Sequence, residues 1–141
     1  MAAALGTFGL KLDDKGRLIV PARARDEMAG GTYLTRGQGN CLFLFTEPQF
    51  DSYRAEMAQN APPGMPSIAF DRVFYSSVVN QTLDTQFRLT IPPVLREYAG
   101  LTRELAVIGL AHRMEVWDAE AWEAYLAAFS ADYSGLSEGV R

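Results

Sequence analysis

Apolar and polar positions alternate with a period of two at the start of the chain. Phe8, Leu10 and Leu12 are interleaved with Gly9 and Lys11, the pattern of a strand with one buried face. The tetrad Asp13-Asp-Lys-Gly16 has turn chemistry, since Asp hydrogen-bonds nearby backbone and Gly accepts a positive φ. A short strand from Arg17 to Val20 follows, so a hairpin is predicted. Pro21 then suits the first position of a helix and Gly30-Gly31 its end. A second hairpin is expected from Tyr33–Arg36 and Cys41–Phe45 around Gly37-Gln-Gly-Asn40. A longer helix closes the unit, with Thr46 as its cap and Phe50, Tyr53 and Met57 on one face.

The same order recurs. Leu12-Asp-Asp-Lys-Gly-Arg-Leu-Ile-Val-Pro-Ala-Arg-Ala-Arg25 aligns with Leu83-Asp-Thr-Gln-Phe-Arg-Leu-Thr-Ile-Pro-Pro-Val-Leu-Arg96 at an offset of 71, with six identical positions. With one residue inserted, Phe45-Thr46 matches Trp117-Asp118, Phe50 matches Trp122 and Tyr53 matches Tyr125. The second unit pairs Leu105–Ile108 with Arg113–Trp117 and ends in a helix capped by Asp118. That helix bears Trp122, Tyr125, Leu126 and Phe129, and aromatics at this spacing are expected in the core. The division is therefore a first half over 1–57, a Pro-rich linker over 58–67, a second half over 68–129 and a mobile tail over 130–141. A further helix is predicted from Ser67 to about Tyr75, using Ile68, Phe70, Val73 and Phe74 as its apolar positions.

Composition narrows the class. At 48% hydrophobic and 21% charged, the 141 residues suit a globular protein. No apolar run approaches the roughly 18 residues of a transmembrane helix. The opening Met1-Ala-Ala-Ala-Leu-Gly-Thr-Phe8 has no basic leader, so no signal peptide is expected and a cytoplasmic location is. Cys41 stands alone in an apolar strand and is expected as a small buried hydrophobe. The net charge of −4 argues at first against nucleic acid, but Lys11, Lys15, Arg17, Arg23 and Arg25 face only Asp13 and Asp14 over 15 residues.

Asp14-Lys-Gly-Arg17 with Pro21, the second copy Asp84-Thr-Gln-Phe-Arg88 with Pro92, and Tyr98-Ala-Gly-Leu101 resemble the MraZ family. Leu34-Thr-Arg-Gly37, Cys41-Leu-Phe-Leu44 and Trp117-Asp118 extend the resemblance from about Gly6 to Phe129. It implies an α+β, mainly β fold in which two pseudo-symmetric halves interleave hairpins into one AbrB-like swapped-hairpin barrel with peripheral helices. It further implies a nucleoid-associated regulator, acting as a repressor, that assembles into rings. Its targets would be G-rich promoter repeats before the division and cell-wall genes. The DNA-contacting motif of the family falls on Lys15 and Arg17 in the first copy, and on Arg88, with Gln86 opposite Lys15, in the second. Phe87 stands where the first copy has Gly16, so the second turn is expected to take another shape.

This chemistry suits double-stranded DNA. An Arg donates two hydrogen bonds to guanine O6 and N7 in the major groove, while Arg23 and Arg25 are placed to position the phosphate backbone. At least one of Asp13 and Asp14 is expected to shape the turn rather than face DNA. Arg25 and Arg96 recur at matching helix positions and could equally pair with carboxylates. Two rival classes are weighed. An enzyme lacks support: no phosphate-binding loop, HExxH or G-x-S-x-G occurs, and His112 has no ligand-type neighbour in the sequence, so neither metal, cofactor nor small-molecule ligand is expected. A ring-forming protein-interaction module without DNA readout is the alternative.

Overall fold

The computed structural model describes residues 4–137. Its order is β1 (Gly6–Lys11), β2 (Arg17–Ile19), α1 (Ala22–Met28), β3 (Thr32–Arg36), β4 (Leu42–Thr46), α2 (Glu47–Gln59) and α3 (Ser67–Ser76). The second half continues with β5 (Val79–Gln81), β6 (Arg88–Thr90), α4 (Pro93–Tyr98), β7 (Glu104–Gly109), β8 (Met114–Asp118) and α5 (Ala119–Ser134). The protein is α+β and mainly β in its core, with β-β-α-β-β-α occurring twice.

The strands lie where the alternation predicts them, but the first hairpin of each half does not pair with itself. β1 pairs with β7 and β5 with β3, each strand lying against the other half. β2 and β6 pair only with each other. The result is an antiparallel sheet in the order β1-β7-β8-β4-β3-β5 and a separate two-stranded ribbon. This corrects the expected closed barrel: β1 and β5 remain the edges of an open sheet. Pro21 and Pro92 follow the ribbon strands, carry no N–H for a ladder and start α1 and α4 instead.

Both faces of the sheet are covered, and β4 shows how one run of residues serves both. Leu42 and Leu44 enter an aliphatic core with Leu18, Val20, Leu89, Ile91, Leu95, Leu105, Val107 and Val116. Phe43 and Phe45 point to the other face and pack with Phe50, Phe70, Phe74 and Trp117. A strand buried on both sides reads as a continuous apolar run, which is why Cys41–Phe45 shows no polar alternation. Ribbon and short helices cover the aliphatic face; the long helices cover the aromatic one.

The long helices start as their caps require. Thr46 accepts from Gln49 N at 3.4 Å while Gln49 Oε1 accepts from Thr46 N at 3.0 Å, a reciprocal capping box. Asp118 accepts from Ala121 N at 3.3 Å and from the Thr102 hydroxyl at 2.6 Å. Three expectations are corrected. α2 runs to Gln59, two residues into the predicted linker. Ser130–Ser134, expected in a mobile tail, are the last turn of α5, while 138–141 lie outside the described residues. Tyr125, Leu126 and Phe129, expected in the core, are 47%, 44% and 52% exposed. Among the described residues no helix is long and apolar enough to cross a membrane.

Candidate nucleic-acid interface

The β2–β6 ribbon carries two of the predicted residues, Arg17 and Arg88. Register places Arg17 opposite Thr90, Leu18 opposite Leu89 and Ile19 opposite Arg88. Leu18 and Leu89 are buried, so the period of two sends Arg17, Ile19, Arg88 and Thr90 together to the outward face. The two arginines come from different halves, 71 residues apart in sequence. Two residues of offset along adjacent strands put their Cα atoms roughly 8 Å apart. Lys15 and Gln86 sit at opposite ends of the ribbon, on exposed turns.

One carboxylate builds each turn. Asp13 Oδ1 accepts from Lys15 N and Arg17 N, both at 2.9 Å, and Oδ2 accepts from Arg17 Nε at 2.8 Å. Asp84 repeats this with Gln86 N at 2.8 Å, Arg88 N at 2.9 Å and Arg88 Nε at 2.7 Å. Asp13 thus shapes the turn, as expected of one member of the pair. The Arg17 backbone amide, then the Arg17 side chain and the Lys15 amide, hold the Asp13 carboxyl below its ordinary range against a smaller opposing effect of burial. Arg88 and Gln86 do the same for Asp84. Each Arg is fixed through Nε, and among the described residues its two Nη groups make no hydrogen bond within the chain. A guanidinium anchored in this way presents a preorganised pair of donors.

The two turns share one shape, contrary to expectation. Phe87 has φ 62° and Gly16 φ 75°, so Phe87 occupies the left-handed region at a cost of roughly 1–2 kcal/mol. The other half holds it there. Val20 N donates to Phe87 O at 2.9 Å, and Arg25 lies over the ring at 4.2 Å. The mirror contact explains the glycine. Ile91 N donates to Gly16 O at 2.8 Å, and Arg96 crosses so close that a Cβ on Gly16 would lie 2.8 Å from its Cζ.

These contacts also settle where the other cations go. Arg25 Nε donates to Val20 O and Arg96 Nε to Ile91 O, both at 2.9 Å, and among the described residues neither forms an ion pair with a carboxylate. Arg25 stays beside the second turn. Arg23 is drawn elsewhere, donating to Leu5 O at 3.1 Å and lying 4.7 Å over Phe8; the structure does not bring it to the ribbon. Two residues that sequence reasoning missed do belong to the outward face: Ile19, 56% exposed, and Thr90. An exposed β-branched residue was the only signal, and it gains meaning only once β2 and β6 are paired. Gln81 braces the ribbon, donating to Thr90 O at 2.7 Å and accepting from Thr90 N at 3.0 Å.

Comparison with known proteins follows the same two-fold plan. The family described as "MraZ protein, putative antitoxin-like" matches residues 3–64 and again 74–136. A "Transcriptional regulator MraZ" of Salinispora arenicola (strain CNS-205) is 46% identical over 136 residues, covering 96% of this chain and 96% of its own length. Proteins of the same name from Leifsonia xyli subsp. xyli (strain CTCB07) and Kineococcus radiotolerans (strain ATCC BAA-149 / DSM 14245 / SRS30216) are 46% and 47% identical. Each covers 96% of this chain and 95% of its own length.

Proposed function

The chain belongs to the MraZ family, and on that premise we propose that it is a transcriptional regulator that reads double-stranded DNA with the β2–β6 ribbon. The carrying observation is the outward face, where Arg17 and Arg88, each locked through Nε, stand with Ile19 and Thr90. The major groove, about 12 Å wide, admits a two-stranded ribbon. In this reading Arg17 and Arg88 donate their Nη pairs to guanine O6 and N7. Ile19 and Thr90 offer methyl groups toward thymine, Lys15 and Gln86 flank the base contacts, and Arg25 supports the phosphate side. Arg23 contributes least because its guanidinium is engaged near Leu5 and Phe8.

The acidic net charge of −4 makes one such head a weak binder. Residues 1–57 and 68–129 form one pseudo-symmetric, swapped-hairpin head, and a ring of such heads on repeated G-rich promoter boxes gains about 10² to 10⁴ in avidity. The protein then acts in the cytoplasm, on the nucleoid, repressing the division and cell-wall cluster. The antitoxin-like description of the family favours one competing reading, a ring that binds protein rather than DNA.

Fluorescence anisotropy decides between them, using a duplex from the chain's own upstream region and one with its G-rich repeats scrambled. Preference for the native repeats is expected. Arg17→Lys, which keeps the charge and loses the fork, should abolish the preference at a cost of about 1–3 kcal/mol. Equal, salt-sensitive binding to both duplexes would reduce the protein to a DNA coat. Failure to bind either at low salt would move the protein-interaction reading to first place.

A further inference from the structure

Two pairs of arginines around the ribbon are held by the same atom. Arg17 and Arg88 are fixed through Nε by the carboxylates of their own turns. Arg25 and Arg96 are fixed through Nε by the carbonyls of Val20 and Ile91, the residues that follow β2 and β6. Among the described residues the Nη groups of Arg25 and Arg96 make no hydrogen bond within the chain. Each of these guanidinium groups also lies against the left-handed residue of the other half's turn. Arg25 covers the Phe87 ring at 4.2 Å, and Arg96 passes so close to Gly16 that a Cβ there would clash with it.

These contacts put Arg25 and Arg96 at opposite ends of the ribbon. Gly16 O accepts from Ile91 N at one end, beside Arg96, and Phe87 O accepts from Val20 N at the other, beside Arg25. Val20 lies four residues beyond Gly16, which at the rise of a strand is roughly 13 Å. The major groove is about 12 Å wide. We propose that Arg25 and Arg96 form a two-walled phosphate clamp, each gripping the backbone of one DNA strand while Arg17 and Arg88 read the bases between them. The inference rests on the ribbon reading put forward above. It adds Arg96 as a DNA-contacting residue and gives the ribbon a direction, its strands crossing the groove from wall to wall.

The chemistry fits phosphate. A brace for the turn needs only the Nε donor, which leaves a planar Nη pair over, and such a fork matches two phosphate oxygens. The cleft between the first turn and α4 is lined by Arg96 and Arg103 together with Asp13, Asp14 and Glu97. Asp13 is taken up by Arg17, and among the described residues neither Asp14 nor Glu97 pairs with Arg96. With carboxylates this near, the site draws its strength from a guanidinium already fixed in place, since the local charge is mixed.

The test is anisotropy on a duplex carrying a single box, over a range of salt concentrations. Each phosphate neutralised contributes about 0.9 to the slope of log K against log salt. Arg96→Gln and Arg25→Gln should each lower that slope by about 1, weaken native and scrambled duplexes alike, and keep the ratio between them. Arg96→Lys keeps the charge and should recover the slope; a brace alone would leave the slope untouched in both variants and lower the native preference instead. Neutral methylphosphonates, placed one at a time in the box, serve if Arg96→Gln fails to fold. The wild type should then lose affinity at positions on both strands, facing each other across the groove, and folded Arg96→Gln should lose that sensitivity on one strand only. Sensitivity confined to one strand in the wild type, or an unchanged slope in Arg96→Gln, would overturn the clamp. A wild type without repeat preference but with the slope effects intact would remove base readout and leave the clamp standing. Failure to bind any duplex overturns both.

Discussion

The left-handed turns are where single residues carry the most consequence. Gly16 combines φ 75° with the close passage of Arg96 and the Ile91 carbonyl. Gly16→Ala is therefore expected to lower the urea midpoint by the equivalent of about 1–2 kcal/mol. Asp13 and Asp84 add a pH dependence. Both carboxyls are held below their ordinary range by backbone and side-chain donors. Their contribution is complete above the unfolded value near 3.9 and is lost as pH falls through the lower folded value. The double variant Asp13→Asn, Asp84→Asn should flatten the acid limb of the stability profile below about pH 4, measured as urea midpoint against pH. Cys41 makes the opposite case. Burial, with the nearby Glu115, pushes its thiol up to about 12, so a disulfide reagent at about pH 8 should leave the native protein untouched and titrate one thiol after unfolding.

Among the elements, the two long helices share a plan and differ in what their caps do. Thr46 satisfies one helix end through the capping box alone, and Thr46→Ala is expected to cost about 1 kcal/mol. Asp118 also ties the loop before β7 to the start of α5 through Thr102. Burial raises its carboxyl, but the Thr102 hydroxyl and the backbone donors outweigh it and the net shift is downward. Asp118→Ala should accordingly cost about 2 kcal/mol, the upper end for a cap, in the same urea measurement. The element boundaries were legible because caps, prolines and glycines are local chemistry. The fate of α5 was not: periodicity marks an apolar stripe without saying whether anything covers it. The same stripe is covered by α3 on α2 and bare on α5.

At the scale of the whole molecule, the two halves exchange strands. β1 and β5 each pair with the opposite half, and each turn is pinned by an amide of the other. The ribbon is thus a joint product of both copies, and base readout should fail when either is damaged. Arg88→Ala is expected to weaken binding to the native repeats about as much as Arg17→Ala does, each by about 1–3 kcal/mol in anisotropy. If the heads act together, a duplex with several boxes should bind about 10² or more times tighter than one with a single box.

The sequence by itself determined the repeat, the placement of nearly every strand and helix, and the residues Lys15, Arg17, Gln86 and Arg88 as the pair of matched tips. It could do so because turns, caps and alternation are written within a few neighbouring residues. It pointed to hairpins where none form, because the alternation of a strand states which face is buried and not which strand lies beside it. Only the tertiary structure decided that β2 meets β6, which places Ile19 and Thr90 between the two arginines, sends Arg25 onto Phe87 and Arg23 away from the ribbon, and forces Phe87 into a glycine's conformation. Arg23 is held by Leu5 and Phe8 in its own half, but the other outcomes rest on contacts between residues more than 60 positions apart, a separation across which no local propensity carries information.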